Sequence, residues 1–278
     1  MIEDRLNLSV IVPVRNAEAF LAESLDGIVA SNPAEIIVVD GLSTDRTVEL
    51  AEAYPVRILS DEGRGVAAAR LLGARAATTD WIALVDVDVV LRTGDLQALL
   101  DEAVEGGYTA LQAGLESTSG PGYWGRALVQ HHRTGRSKHW FGLAATVMRR
   151  EAFLAHGLDV DFRSGEDIEL RWRLERAGER VGVSERTLVD HRFGDTLDFA
   201  IGQFMADGGG LARTATKHGW RAAPLLGLPF AAGARGIGLS LARRQPQWIP
   251  YYATFMVVNW VGMTVQLARQ LSRRSPGA

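Results

Sequence analysis

The chain has 278 residues, a formal charge of −3, a pI near 6.1, thirty glycines, nine prolines and no cysteine. That length buries a sizeable core in one large domain, or in a domain with an appendage. Without cysteine there is no disulfide framework, thiolate metal site, iron–sulfur cluster or thiol nucleophile, and the small negative total argues against a nucleic-acid binder.

The total is the sum of two opposed regions. Residues 1–198 carry 21 Lys and Arg against 32 Asp and Glu, a net −11, whereas residues 199–278 carry nine basic residues and the single acid Asp207, a net +8. A domain over 1–198 and a basic, apolar helical region over 199–278 are expected. The opening Met-Ile-Glu-Asp-Arg-Leu has acids where a secretory signal has a basic segment, so a cytoplasmic location is expected.

Residues 8–14 (LSVIVPV) form a β-branched apolar run, and Asn16 is placed to cap a helix with apolar positions at Phe20, Leu21, Leu25 and Ile28. A second strand is read at 35–40 (EIIVVD), a helix capped by Ser43 or Thr44 through Ala53, and a third strand at 56–59. After a loop at 61–65 come an Ala-rich helix over 66–77, a strand at 81–85 (WIALV), and a helix over 95–104. Repeated strand–helix units predict an α/β fold with a parallel sheet and helices on its faces. Beyond Tyr108 the alternation weakens: strands at 108–115, 139–148, 181–183 and 188–191 and a helix over 166–177 predict a mixed second half.

In the last eighty residues, 222–242 contain only Arg235 as a charge and 245–268 contain none. The latter stretch matches the ~20 residues that cross a hydrocarbon layer, yet it holds Pro250, Asn259 and Gln266. Arg235 would cost roughly 2.5–3.5 kcal/mol at a bilayer centre. Helices lying in the interface fit better, with membrane-surface contact through 222–274 and Trp248, Tyr251, Tyr252 and Trp260 at headgroup depth. A helical layer packed on protein is the alternative, and a homo-oligomer is compatible with it.

Four constellations carry chemistry. Asp86-Val87-Asp88 follows an apolar strand at the edge where α/β folds bind ligands, and its carboxylates suit a hard cation or a nucleotide. The equivalent Asp159-Val160-Asp161 lacks that setting. Glu166 and Asp167 open a helix, where a carboxylate stays ionised and can act as a base or simply cap the helix. His191 is a ligand only if it converges with Asp88. At the first strand–helix turn, Val12-Pro13-Val14-Arg15-Asn16 replaces a dinucleotide-binding G-x-G-x-x-G; P-loop and nucleophile-elbow motifs are also absent.

In order, Val10 to Asn16, Glu35 to Asp45, Asp86-Val87-Asp88, Gly165-Glu166-Asp167 and His191-Arg192-Phe193 resemble the family 2 glycosyltransferases, over about residues 7–195. The resemblance implies the GT-A fold, a Rossmann-like mixed sheet here carrying a membrane-associating helical appendage, and an inverting nucleotide-sugar-dependent transfer. It assigns Pro13, Arg15 and Asp40 to the nucleobase, Arg64 to ribose or phosphate, and Asp86 to ribose. Asp88, with Asp86 and His191, would hold Mn²⁺ or Mg²⁺. Asp167, paired with Glu166, would be the catalytic base. The family often has two acids after its second strand, whereas Gly41 follows Asp40 here; uridine donors are expected ahead of guanosine donors. The implied acceptor is a lipid or lipid-linked glycan at the cytoplasmic face of a membrane, within glycan biosynthesis. Trp140, Phe141 and Gly142 would line the acceptor side or belong to the core. A sugar-phosphate nucleotidyltransferase and a non-catalytic nucleotide-sugar-binding relative stand as alternatives.

Overall fold

The computed structural model describes residues 5–135, 141–162 and 164–274. Two compact units divide the chain. One comprises residues 1–116, 139–161 and 167–192; the other comprises 117–138, 162–166 and 193–278. The second unit thus draws in two segments that precede residue 198.

In chain order the elements are β1 (Leu6–Val14), α1 (Leu21–Ala30), β2 (Pro33–Asp40), α2 (Thr47–Glu52), β3 (Arg57–Ser60), α3 (Val66–Ala76), β4 (Trp81–Val85), β5 (Val89–Val90), α4 (Asp95–Glu105), β6 (Ala110–Ser119), α5 (Tyr123–Thr134), β7 (Ala145–Arg149), α6 (Arg150–His156), α7 (Glu166–Arg176), β8 (Val181–Phe193), α8 (Leu197–His218), α9 (Leu228–Ala242) and α10 (Ile249–Arg274). The sheet order is β3-β2-β1-β4-β7-β6-β8-β5. β1 to β4 pair in parallel, while β7 runs antiparallel to β4 and β6, and β5 antiparallel to β8. The expected change from parallel to mixed falls between β4 and β7.

The period-2 pattern of β1 accounts for the layers. Leu8, Val10, Val12 and Val14 join Leu21, Leu25 and Ile28 of α1 and Leu96, Leu99 and Leu100 of α4 in one apolar cluster. Ile11 points the other way, into a cluster with Ala67, Leu71 and Ala74 of α3, Phe153 of α6 and Leu170 and Leu174 of α7. Each such fully buried aliphatic side chain contributes about 1.5–3 kcal/mol. α3 lies close on β1 because Gly73 has no side chain: a Cβ there would sit 2.4 Å from Ile11 Cγ2.

Several expectations are corrected. Asn16 caps no helix; its φ is 51°, and its Oδ1 accepts from the Thr44 backbone N–H at 2.8 Å, tying the loop after β1 to the loop after β2. The strands read at 181–183 and 188–191 are one strand, β8, which continues through Ser184 even though Ser184 Oγ accepts from the N–H groups of Arg186 and Thr187. Helices α5 and α6 went unread. Tyr251 and Tyr252 are buried in the core of the second unit with Phe204, Ala200 and Leu128, rather than at a surface. Asn259 is likewise turned inward.

Within that unit α8 and α10 meet backbone to backbone. A Cβ on Gly208 would stand 2.0 Å from the Asn259 carbonyl oxygen, and one on Gly262 would stand 2.3 Å from that of Met205. Around His131 of α5, the rings of Tyr251, Tyr252 and Phe255 lie at centroid distances of 5.7, 5.4 and 5.0 Å, and His131 Nδ1 is 3.1 Å from the Tyr251 hydroxyl. Burial, with the charge of Arg235 adding to it, lowers His131 from 6.5 to about 4, and burial raises the Tyr251 phenol.

Candidate active site

The C-terminal ends of β1 to β4 reach one edge of the sheet. Val14 is aligned with Asp40 and Asp40 with Ser60, and the pairing of Ile11 with Leu84 brings Asp86 to that edge. Pro13 and Arg15 flank the end of β1, with Arg15 exposed and its Cβ 3.5 Å from the position a Cβ on Gly41 would take. Asp40 is buried, and both its oxygens accept from the Ser43 N–H at 3.2 Å.

The loop that carries Arg64 is held from below by Asp61. This carboxylate is buried and accepts from Gly63 N–H and Gly65 N–H at 2.8 Å each, while the Asp61 N–H donates to the Asp40 carbonyl. Glu62, Gly63 and Gly65 all have positive φ, so the turn depends on that clamp. Arg64 Nε donates to the Asp61 carbonyl at 2.9 Å.

Beyond β4, Asp86 Oδ1 accepts from Arg70 Nη2 at 2.6 Å; the guanidinium comes from the otherwise apolar face of α3 and is 4% exposed. Burial raises the Asp86 carboxyl and Asp88 adds to the effect, whereas Arg70 and His191 oppose it. Its side chain keeps 29% exposure, so the carboxylate stays reachable from solvent. Removing either member of such a pair leaves a charge without its compensation.

Asp88 and His191 do converge. The β5–β8 pairing puts Val89 opposite His191, and the Arg192 N–H donates to the Asp88 carbonyl at 2.9 Å. Asp88 Oδ1 lies 3.4 Å from His191 Nε2 and is a buried oxygen with no hydrogen-bond donor among the described residues. Among the described residues no three His, Asp or Glu side chains gather into a metal cluster. The chain therefore offers an undonated carboxylate oxygen beside an imidazole, an oxygen–nitrogen set suited to Mn²⁺ or Mg²⁺ when phosphate oxygens complete the shell.

Glu166 and Asp167 differ in setting: Glu166 is buried and Asp167 half-buried. α7 is fixed by the buried Glu169, both of whose oxygens accept from Arg173 Nε, while Arg173 also donates to the carbonyls of His156 and Gly157. Facing Asp167 is Gly142. A Cβ there would lie 3.0 Å from Asp167 Oδ2 and 2.9 Å from Gln112 Oε1. Gly142 is pinned by its N–H, which donates to Gln112 Oε1 at 2.5 Å, and by its carbonyl, which accepts from Thr146 Oγ1 at 2.9 Å. The Asp86 N–H donates to the carbonyl of Ala144, two residues on. The D-x-D turn and the strip of chain facing Asp167 are thereby one hydrogen-bonded piece.

Of the acceptor-side trio, Phe141 is core, Gly142 is at the site, and Trp140 lies outside the described residues. The Asp159-Val160-Asp161 triplet sits in the turn after α6, where the Asp161 N–H donates to Asp159 Oδ1. Sequence reasoning missed Asp61, Arg70 and Gln112. An acid two and four residues before glycines, and an arginine set among the alanines of an Ala-rich helix, were the available signals for the first two.

The profile described as glycosyl transferase family 2 matches residues 9–156. The chain is 31% identical over 268 residues to a pre-mycofactocin glycosyltransferase of Mycobacterium tuberculosis, covering 85% of this chain and 54% of that protein. It is 27% identical to the succinoglycan biosynthesis protein ExoA of Rhizobium meliloti, covering 91% of this chain and 79% of that one. It thus spans about half the length of the mycobacterial relative. Among solved structures, a Pyrobaculum calidifontis mannosyltransferase in complex with GDP-Man and Mn²⁺ superposes with a TM-score of 0.68 at 20% identity, over 94% of this chain and 88% of that one, which shows a shared GT-A fold. With more than half of its length matched by the family profile and that fold in common, the chain belongs to the family 2 glycosyltransferases.

Proposed function

We propose that the chain transfers a sugar, with inversion, from a nucleoside-diphosphate sugar to an acceptor hydroxyl of a lipid or lipid-linked glycan at the cytoplasmic face of a membrane, uridine donors serving ahead of guanosine donors. The observation that carries this reading is the Asp86 N–H to Ala144 carbonyl bond, which joins the D-x-D turn to the segment facing Asp167.

In this reading Pro13, Arg15 and Asp40 hold the base at the ends of β1 and β2, and Asp86, oriented by Arg70, takes the ribose. Arg64 reaches ribose or phosphate from the loop clamped by Asp61. Asp88 and His191, with Asp86 nearby, would hold the divalent ion, which when bound neutralises charge on the departing diphosphate. Asp167 accepts the proton of the acceptor hydroxyl as its oxygen bonds to the anomeric carbon and the bond from that carbon to the diphosphate oxygen breaks. Glu166, its partner in the motif, is the first residue of α7 and is buried. Gly142 leaves room for the acceptor oxygen beside Asp167.

The test is to incubate the full chain with Mn²⁺ or Mg²⁺, a panel of UDP- and GDP-sugars and membrane lipid extract, and to measure nucleoside diphosphate and pyrophosphate. Nucleoside diphosphate release that depends on lipid supports the proposal. Pyrophosphate release would favour a nucleotidyltransferase, nucleotide binding without turnover would leave a non-catalytic relative, and silence together with no metal-dependent nucleotide binding by calorimetry would overturn the proposal.

A further inference from the structure

α10 has its polarity reversed relative to a water-facing helix. Asn259 is 1% exposed and Tyr251 is fully buried, whereas Val257 is 63%, Trp260 40%, Val261 45% and Leu271 68% exposed. These four lie on one side of the helix, the last three standing three, four and fourteen residues beyond Val257. Phe230 of α9, 51% exposed, packs edge-to-face on Trp260 at 5.3 Å, so the apolar strip continues from one helix to the next. Just before α9, Trp220 is 81% exposed with the Arg221 guanidinium 5.7 Å from its ring. Arg243 and Arg244, both exposed, end α9, and no acid follows Asp207 in the chain.

We propose that this strip lies flat on an anionic phospholipid surface, with Phe230, Trp260, Val257, Val261 and Leu271 among the acyl chains and Trp220 and the arginines at the phosphates. The proposal deepens, and rests on, the reading of an acceptor carried at a lipid surface. Three observations select this occupant and this orientation. A large apolar surface open to water is a binding face rather than a neutral feature. A second copy docked symmetrically through the same strip would bring arginines against arginines with no carboxylate after Asp207 to offset them, whereas lipid phosphates supply the opposite charge. Spanning is disfavoured although residues Ala223–Ala242 are long and apolar enough to cross a bilayer, because the stretch carries a charge in its middle. Arg235 stands mid-helix with its guanidinium on the Thr134 carbonyl.

Flotation of the full chain with vesicles of phosphatidylcholine alone, or with phosphatidylglycerol added, tests this directly. Binding to the anionic vesicles, weakened by salt, is expected. Brominated acyl chains should quench tryptophan fluorescence of the unaltered protein. Arg243→Glu with Arg244→Glu should lower anionic-vesicle partitioning roughly tenfold or more, and Phe230→Ser with Trp260→Ser should abolish quenching while circular dichroism stays unchanged. Equal absence from both vesicle types, unquenched fluorescence, or a dimer in light scattering that the Phe230/Trp260 variant dissolves would overturn the proposal. No sugar donor is present in these assays. Vesicle binding without transfer therefore sinks only the functional reading, and transfer without vesicle binding sinks only this one.

Discussion

His131 should make the helical unit acid-labile. The imidazole is ringed by Tyr251, Tyr252 and Phe255, and burial and Arg235 lower it from 6.5 to about 4. In the unfolded chain it takes up a proton near 6.5, while in the fold it does so only near 4. Between those values the unfolded state binds the extra proton, so stability is complete above about pH 6.5 and falls as pH drops toward 4. At about 1.4 kcal/mol per tenfold change in proton affinity, that gap is worth at most ~3 kcal/mol. The measurement is urea unfolding at pH 7, 6, 5 and 4 for the native protein and for His131→Gln, which keeps a polar partner for the Tyr251 hydroxyl but does not titrate. Carboxylates titrate in both proteins and cancel in the difference. The native protein should lose about 3 kcal/mol more than the variant between pH 7 and pH 4; parallel profiles would refute the argument, as would an NMR titration placing His131 near 6.5.

Four further substitutions probe the site and its support. Asp167→Asn should lower turnover by roughly 10²–10⁴-fold with donor binding nearly intact, whereas Asp88→Asn should weaken metal-dependent donor binding in calorimetry; equal loss of binding in both would show the base to be misassigned. Gly142→Ala puts a methyl 3.0 Å from Asp167 Oδ2 and 2.9 Å from Gln112 Oε1. Displacing the carboxylate by a few tenths of an ångström should lower kcat by roughly tenfold, given that ~1 Å costs about 10²-fold, and unchanged kcat would place the acceptor elsewhere. Gly208→Ala drives a methyl to 2.0 Å from the Asn259 carbonyl oxygen. Overpacking of roughly 1–3 kcal/mol outweighs the gain of up to ~1 kcal/mol in helix propensity, so thermal unfolding should show a lowered Tm.

The sequence was most legible where one physical effect dominates. β1, β2 and β4 are β-branched runs buried on both faces, and no other local structure suits them. The acids of the D-x-D and E-D pairs were legible because they stand at element ends, where side chains have few packing duties. Legibility failed where long-range packing overrides composition. The polar Ser184-Glu185-Arg186-Thr187 stretch reads as a turn, yet β8 runs through it. Arg70 reads as an incidental charge in α3, although Asp86 sixteen residues on is what makes its burial tolerable. Tyr251 and Tyr252 read as interfacial aromatics because periodicity alone does not say which side of α10 meets α8; the glycines at 208 and 262 decide that.

The pairing of β5 with β8 also bears on how the protein is made. Beside the Asp88–His191 contact, Arg92 is bonded to Asp190 across 98 residues of chain. A ribosome that has released β1 to β4 has already produced the strands proposed to hold the nucleotide, but the imidazole proposed to complete the ion pocket is still to be translated. The order of synthesis therefore delays assembly of the Asp88–His191 pair until β8 joins the sheet.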